Sequence, residues 1–92
     1  MLDAPLPDLI LYGRPGCGLC DEARQIVTDL LRARSVAGLK TPALVERNIE
    51  TDPAWERAFL TTIPVVELGG RRIELAMSAG VVERLLRDVL DA

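Results

Sequence analysis

An apolar run, Leu9-Ile10-Leu11-Tyr12, leads through Gly13-Arg14-Pro15-Gly16 directly into Cys17-Gly18-Leu19-Cys20. No other feature restricts the fold of the chain as much. A continuous run of this length predicts a strand covered on both faces, and the glycines and proline end it. From Leu19 onward, apolar residues recur at 19, 23, 26, 27, 30 and 31, the spacing of one helix face. That pattern predicts a helix to about Arg34, with Gly38 closing the turn. Two cysteines with two residues between them therefore stand at the entrance to a helix, directly behind a buried strand.

The remaining punctuation is equally regular. Pro42 precedes a second strand, about 43–49, whose polar Glu46, Arg47 and Asn48 suit a sheet edge. Thr51-Asp52-Pro53 reads as a cap followed by proline in the first helical turn, with Trp55, Ala58 and Phe59 as the buried stripe. Residues 63–68 form a third strand, Gly69-Gly70 signals a hairpin, and 72–75 alternate as a half-exposed fourth strand. Ser78 caps a last helix whose pairs 81/82, 85/86 and 89/90 face inward. The order is β-α-β-α-β-β-α: an α/β domain with a four-stranded mixed sheet, helices on both faces and a right-handed first crossover. Residues 1–92 make one domain, with 1–7, containing Pro5 and Pro7, as a flexible lead-in.

Composition narrows the chemistry. The formal charge is −3 and there is no histidine, which removes the usual general base and the usual nitrogen ligand. An acidic chain is also a poor nucleic-acid binder, because affinity there comes from cations meeting phosphate. No apolar stretch is long enough to span a membrane. The start, Met1-Leu2-Asp3-Ala4-Pro5, lacks the basic residues and apolar run of a signal peptide. The expected location is the cytoplasm, where thiols stay reduced.

The only two cysteines of the chain are therefore the natural place to look for reactivity. At a helix entrance the first sulfur lies near unpaired amides and the positive end of the helix dipole, which favour a thiolate. A thiolate attacks a disulfide, and a second cysteine one turn on can resolve the mixed disulfide. The competing readings are half of a zinc site or two inert core cysteines. Zinc takes four ligands and this chain offers two cysteines and no histidine, so a metal would need a second copy or recruited carboxylates; none is expected. Asp21 and Glu22 complement the helix N-terminus, and they also set negative charge beside a developing thiolate.

The run Tyr12-Gly13-Arg14-Pro15-Gly16-Cys17-Gly18-Leu19-Cys20-Asp21-Glu22-Ala23 resembles glutaredoxins, in particular the small bacterial glutaredoxin-like proteins with a C-x-L-C-D-E-A signature. Thr62-Ile63-Pro64 is similar to the T-V-P segment of the same superfamily. The resemblance implies the thioredoxin fold in its glutaredoxin-like form and dithiol–disulfide oxidoreductase activity. It implies Cys17 as nucleophile and Cys20 as resolving thiol. Pro64 would be cis and face the dithiol, with Ile63 offering backbone hydrogen bonds to an extended substrate. Arg14, Gly18, Leu19 and Thr62 would complete the substrate surface. The implied partners are disulfide-containing proteins or small thiols, with a reductase or glutathione as electron donor.

The chain departs from that pattern in places. Where glutaredoxins place paired glycines and polar residues for glutathione, it reads Leu75-Ala76-Met77-Ser78-Ala79-Gly80. No tightly bound cofactor is expected, and glutathione is doubtful as a ligand. Leu11 occupies the strand position where thioredoxins bury an aspartate. Two other functions fit the family: an iron–sulfur or metal-carrying module, and a non-catalytic interaction domain using apolar surface around Ala76 and Met77.

Overall fold

The computed structural model describes residues 5–91, in the order β1 (Leu9–Gly13), α1 (Gly18–Val36), β2 (Leu44–Asn48), α2 (Pro53–Phe59), β3 (Val65–Leu68), β4 (Arg71–Ile73) and α3 (Ala79–Leu90). A 3₁₀ turn, Ile49–Thr51, follows β2. The four strands form one sheet in the order β2-β1-β3-β4. β1 and β2 are parallel, with Leu11 opposite Glu46 and Gly13 opposite Asn48. β1–β3 and β3–β4 are antiparallel. β2 is an edge strand, as its polar residues predicted. Of the expected lead-in, residues 1–4 lie outside the described residues, and 5–7 have no regular structure.

Strand alternation sorts the core into two faces. Leu9 and Leu11 of β1 and Val66 and Leu68 of β3 meet Ala23, Val27 and Leu31 of α1 and Val82, Leu85, Leu86 and Leu90 of α3. On the other face Tyr12 and Val65 pack with Ile49, Phe59, Ile63 and Cys20. Both faces of β1 are thus covered, which is why its sequence is apolar without interruption.

The caps form as expected. Asp52 Oδ1 accepts from the Ala54 N–H at 2.8 Å, Ser78 Oγ from the Val81 N–H at 3.3 Å, and Gly38 has φ +73° where α1 ends. Several boundaries and faces differ from the sequence expectation. Helix α1 continues to Val36. Its buried face is Cys20, Ala23, Val27, Leu31 and Arg34, which rotates Leu19 outward to 50% exposure. Ala58 and Val81 are exposed, because Phe59 and Val82 occupy the inward positions. β3 begins only at Val65, after a cis Ile63–Pro64 peptide bond. β4 stops at Ile73, since Leu75, at φ +48°, turns its N–H to the Thr62 carbonyl at 2.9 Å. Ala76 is buried, not surface, and Met77 is half-buried against the same core.

Arg34 is the one buried charged side chain among the described residues. Its Nε donates to the Lys40 carbonyl at 2.8 Å and its Nη1 to Asp91 at 3.0 Å, with Nη2 completing a fork on the same carboxylate. The fork ties the end of α1 to the end of α3. It holds the Asp91 carboxyl below its ordinary value, chiefly through the Arg34 hydrogen bonds, with Lys40 and Arg87 adding charge. A carboxylate with a depressed folded pKa contributes stability above its unfolded pKa and loses it as pH falls through the folded value. The Tm difference between wild type and Asp91→Asn should therefore be full at neutral pH and shrink below about pH 4. A difference independent of pH would show that the charge of Asp91 is not what ties the helices.

Candidate active site

The strand–loop–helix succession places the dithiol at one end of the sheet. Gly16, at φ +75°, turns the chain after Pro15. Cys17 then has extended backbone angles and serves as N-cap of α1. Its carbonyl accepts from the Asp21 N–H at 3.1 Å, opening the helix. Its Sγ accepts from the Cys20 N–H, also at 3.1 Å, in the position that a serine or aspartate oxygen takes in an ordinary cap. The two cysteines are joined by a disulfide with Cα atoms 5.2 Å apart. They are unequal in access: Cys20 is 2% exposed, whereas Cys17 is half-buried and reachable.

All three aromatic residues of the chain lie on this face. Tyr12 stacks tilted on Phe59 with centroids 4.4 Å apart and meets Trp55 edge-on at 5.9 Å. Arg47 lies over Trp55 at 5.1 Å and donates to Tyr12 Oη at 3.1 Å, while Arg72 covers Phe59 at 4.8 Å. Cation–π contacts of this kind clamp rings in place. The sequence marked Arg47 only as an edge-strand residue and gave neither arginine a place in the site. The available signal was Arg47 pairing with Tyr12 across parallel strands, and it required the register.

Thr62, Ile63 and Pro64 form the segment that leads into β3, and Ile63 shares a cluster with Cys20 and Cys17. The carbonyls of Thr62 and Pro64 accept from Leu75 and Ala76 at 2.9 and 2.8 Å. The N–H of Ile63 donates to the Phe59 carbonyl at 3.1 Å. That N–H is thus engaged within the chain. Gly18 and Leu19 are both exposed, in the helical turn between the cysteines. Arg14 is exposed and lines a cleft of about 330 Å³ together with Cys20, Asp21, Arg24 and Glu46.

Arg24 bridges Asp21, at 2.9 Å, and Glu46. Those bonds raise the Arg24 pKa above its ordinary value, the hydrogen bond to Glu46 contributing most. Asp21 therefore meets the dithiol as a paired charge, and its opposition to a thiolate is weaker than the sequence alone suggests. Among the described residues, no group of three or more His, Cys, Asp and Glu side chains is placed to hold a metal ion. No helix among them is long and apolar enough to cross a membrane.

Comparison with known proteins agrees with this geometry. The crystal structure of protein XcR50 from X. campestris matches with a TM-score of 0.69 and 28% identity, over 87% of this chain and 96% of that one. The solution structure of XcR50 matches with a TM-score of 0.68 and 28% identity, over 88% and 94%. The fold is also shared with protein Ne2328 from Nitrosomonas europaea, with a TM-score of 0.62 and 17% identity, over 92% and 96%. No curated protein matches the chain. The family model described as glutaredoxin-like domain (DUF836) matches residues 8–90. With the β-α-β-α-β-β-α order, the mixed sheet and the Cys17–Cys20 pair on one chain, the protein belongs to this glutaredoxin-like family of the thioredoxin fold.

Proposed function

We propose that the protein is a dithiol–disulfide oxidoreductase in which Cys17 is the nucleophile and Cys20 the resolving thiol. The observation that carries this reading is the cap at Cys17: a reachable sulfur accepting the Cys20 N–H at 3.1 Å at the positive end of a 19-residue helix. A helix N-terminus and an amide donor both favour the anion over the thiol. The buried sulfur of Cys20 is poorly placed to meet an outside disulfide and well placed to meet Cys17.

In the forward direction the Cys17 thiolate attacks one sulfur of a substrate disulfide, and the first substrate thiolate leaves and takes up a proton. The Cys20 thiol loses its proton and attacks Cys17 Sγ. The Cys17–Cys20 bond forms, the bond from Cys17 to substrate breaks, and the second substrate thiol is released. Two electrons pass from the dithiol to the substrate. Gly18, Leu19, Thr62, Ile63 and Pro64 form the surface nearest the reacting sulfurs, with Arg14 at its margin. The substrates are disulfides of proteins or small thiols in the cytoplasm, and a reductase or glutathione returns the electrons. A resident glutathione is not part of the reading. Where glutaredoxins carry paired glycines, this chain presents Leu75, 55% exposed at φ +48°.

The test is equilibration against graded dithiothreitol, with thiols alkylated and counted by mass. One two-electron transition is expected. A midpoint near about −270 mV marks a thioredoxin-like reductant, and one at roughly −200 to −230 mV a glutathione-coupled enzyme. Two thiols that titrate independently, or not at all, would reject oxidoreductase chemistry.

A further inference from the structure

Gly13, the last residue of β1, has no conformational need to be glycine. Its φ is not in the left-handed region, and it pairs in register with Asn48 as an ordinary strand residue. The reason lies in the space beside it. A Cβ added to Gly13 would stand 3.1 Å from Cys20 Cβ and 3.1 Å from Cys20 Sγ, closer than carbon and sulfur atoms pack at van der Waals contact. Neither neighbour is the free end of a flexible chain. Cys20 Cβ is fixed by the backbone of α1 whether or not the disulfide is formed, and in the oxidised protein its Sγ is also held by Cys17. Helix α1 cannot slide away cheaply, because Ala23 and Val27 on the same face are fully buried against the sheet. By contrast, Gly18 in the same motif has nothing within 4 Å of an added Cβ.

We infer that Gly13 is a positioning residue whose missing side chain makes the slot that seats Cys20, keeping the resolving sulfur shielded from solvent and in line with Cys17. The inference rests on the oxidoreductase reading for its consequence and on packing alone for its geometry. In the resolving step the Cys20 thiolate must approach Cys17 Sγ along the bond that is breaking. Gly13→Ala forces Cys20 outward by a few tenths of an ångström, which spoils that alignment and opens Cys20 to solvent while leaving Cys17 at the helix cap.

The experiment compares reduced wild type and Gly13→Ala in two assays. In the first, brief iodoacetamide labelling followed by mass mapping reads the access of each cysteine. In the second, bis(2-hydroxyethyl) disulfide loads Cys17, and the lifetime of the adduct reads the resolving step. The expected result is faster labelling of Cys20, an unchanged rate at Cys17 and an adduct that persists roughly tenfold longer, in keeping with the sensitivity of oriented reactions to small displacements. Unchanged Cys20 labelling and adduct lifetime would overturn the slot.

Thermal unfolding keeps the question decidable if Gly13→Ala folds poorly. Introduced into Cys20→Gly, which removes both clashing atoms, the alanine should cost little Tm. An equal loss in both backgrounds would overturn the inference. If wild type forms no adduct at Cys17, the oxidoreductase reading fails, while the labelling and Tm comparisons still decide whether Gly13 seats Cys20.

Discussion

Under the proposed mechanism, Cys17→Ser should reduce disulfide exchange to the uncatalysed level, whereas Cys20→Ser should attack substrate once and retain it as a mixed disulfide. The asymmetry follows from access and from bonding. A serine at position 17 can still cap α1 as an oxygen acceptor, so the fold survives, but its hydroxyl does not displace a thiolate from a disulfide. A serine at position 20 leaves the cap donor, a backbone N–H, in place. Cys17 keeps its amide donor and loses only its intramolecular partner. Incubating each variant with a disulfide-bonded peptide and measuring intact mass checks both expectations. Wild type should return free peptide thiol, Cys20→Ser a stoichiometric adduct, and Cys17→Ser neither. An adduct on Cys17→Ser would mean that Cys20 is the attacking sulfur, against its 2% exposure.

Leu86→Ala should lower stability by about 3 kcal/mol, the usual cost of emptying a fully buried leucine site. In a domain of this size that is a fall of roughly 12–24 °C in Tm. Leu86 is fully buried in the cluster that joins α3 to β1, β3 and α1. The dithiol belongs to the other face, with Tyr12, Ile49, Phe59 and Ile63. The variant should therefore unfold early yet keep its dithiothreitol midpoint below its Tm, because no atom near either sulfur has changed. Differential scanning calorimetry and the thiol titration, run on the same sample, separate the two quantities. A midpoint displaced in proportion to the lost stability would show that the two faces are coupled through the sheet.

Local chemistry explains why so much of the fold was readable from the chain. β1 is apolar at Leu9, Leu11 and Tyr12 because both of its faces are covered. Asp52-Pro53 and Ser78 carry their capping chemistry within three residues of where it acts. The polar character of β2 announced an edge, because Glu46 needs water on one side. The candidate nucleophile was legible for the same reason: a cysteine as N-cap, one turn before another, is a local arrangement. What failed involved orientation. Leu19, Ala58 and Val81 fit an apolar helical face by spacing, yet each is rotated outward by neighbours on other elements. Leu75 fits an alternating strand, yet its N–H is drawn to Thr62.

By itself the sequence determined the elements, their order and the placing of two cysteines at a helix entrance, because each depends on contacts within a few residues. Only the tertiary structure decided which sulfur is hidden, that Arg34 is locked by Asp91, that Arg47 and Arg72 clamp the aromatic rings, and that Gly13 is glycine for the sake of Cys20. The last three depend on pairs of residues between 7 and 57 positions apart that meet only in the folded chain, and burial, ion pairing and steric fit are properties of such meetings rather than of any stretch of chain.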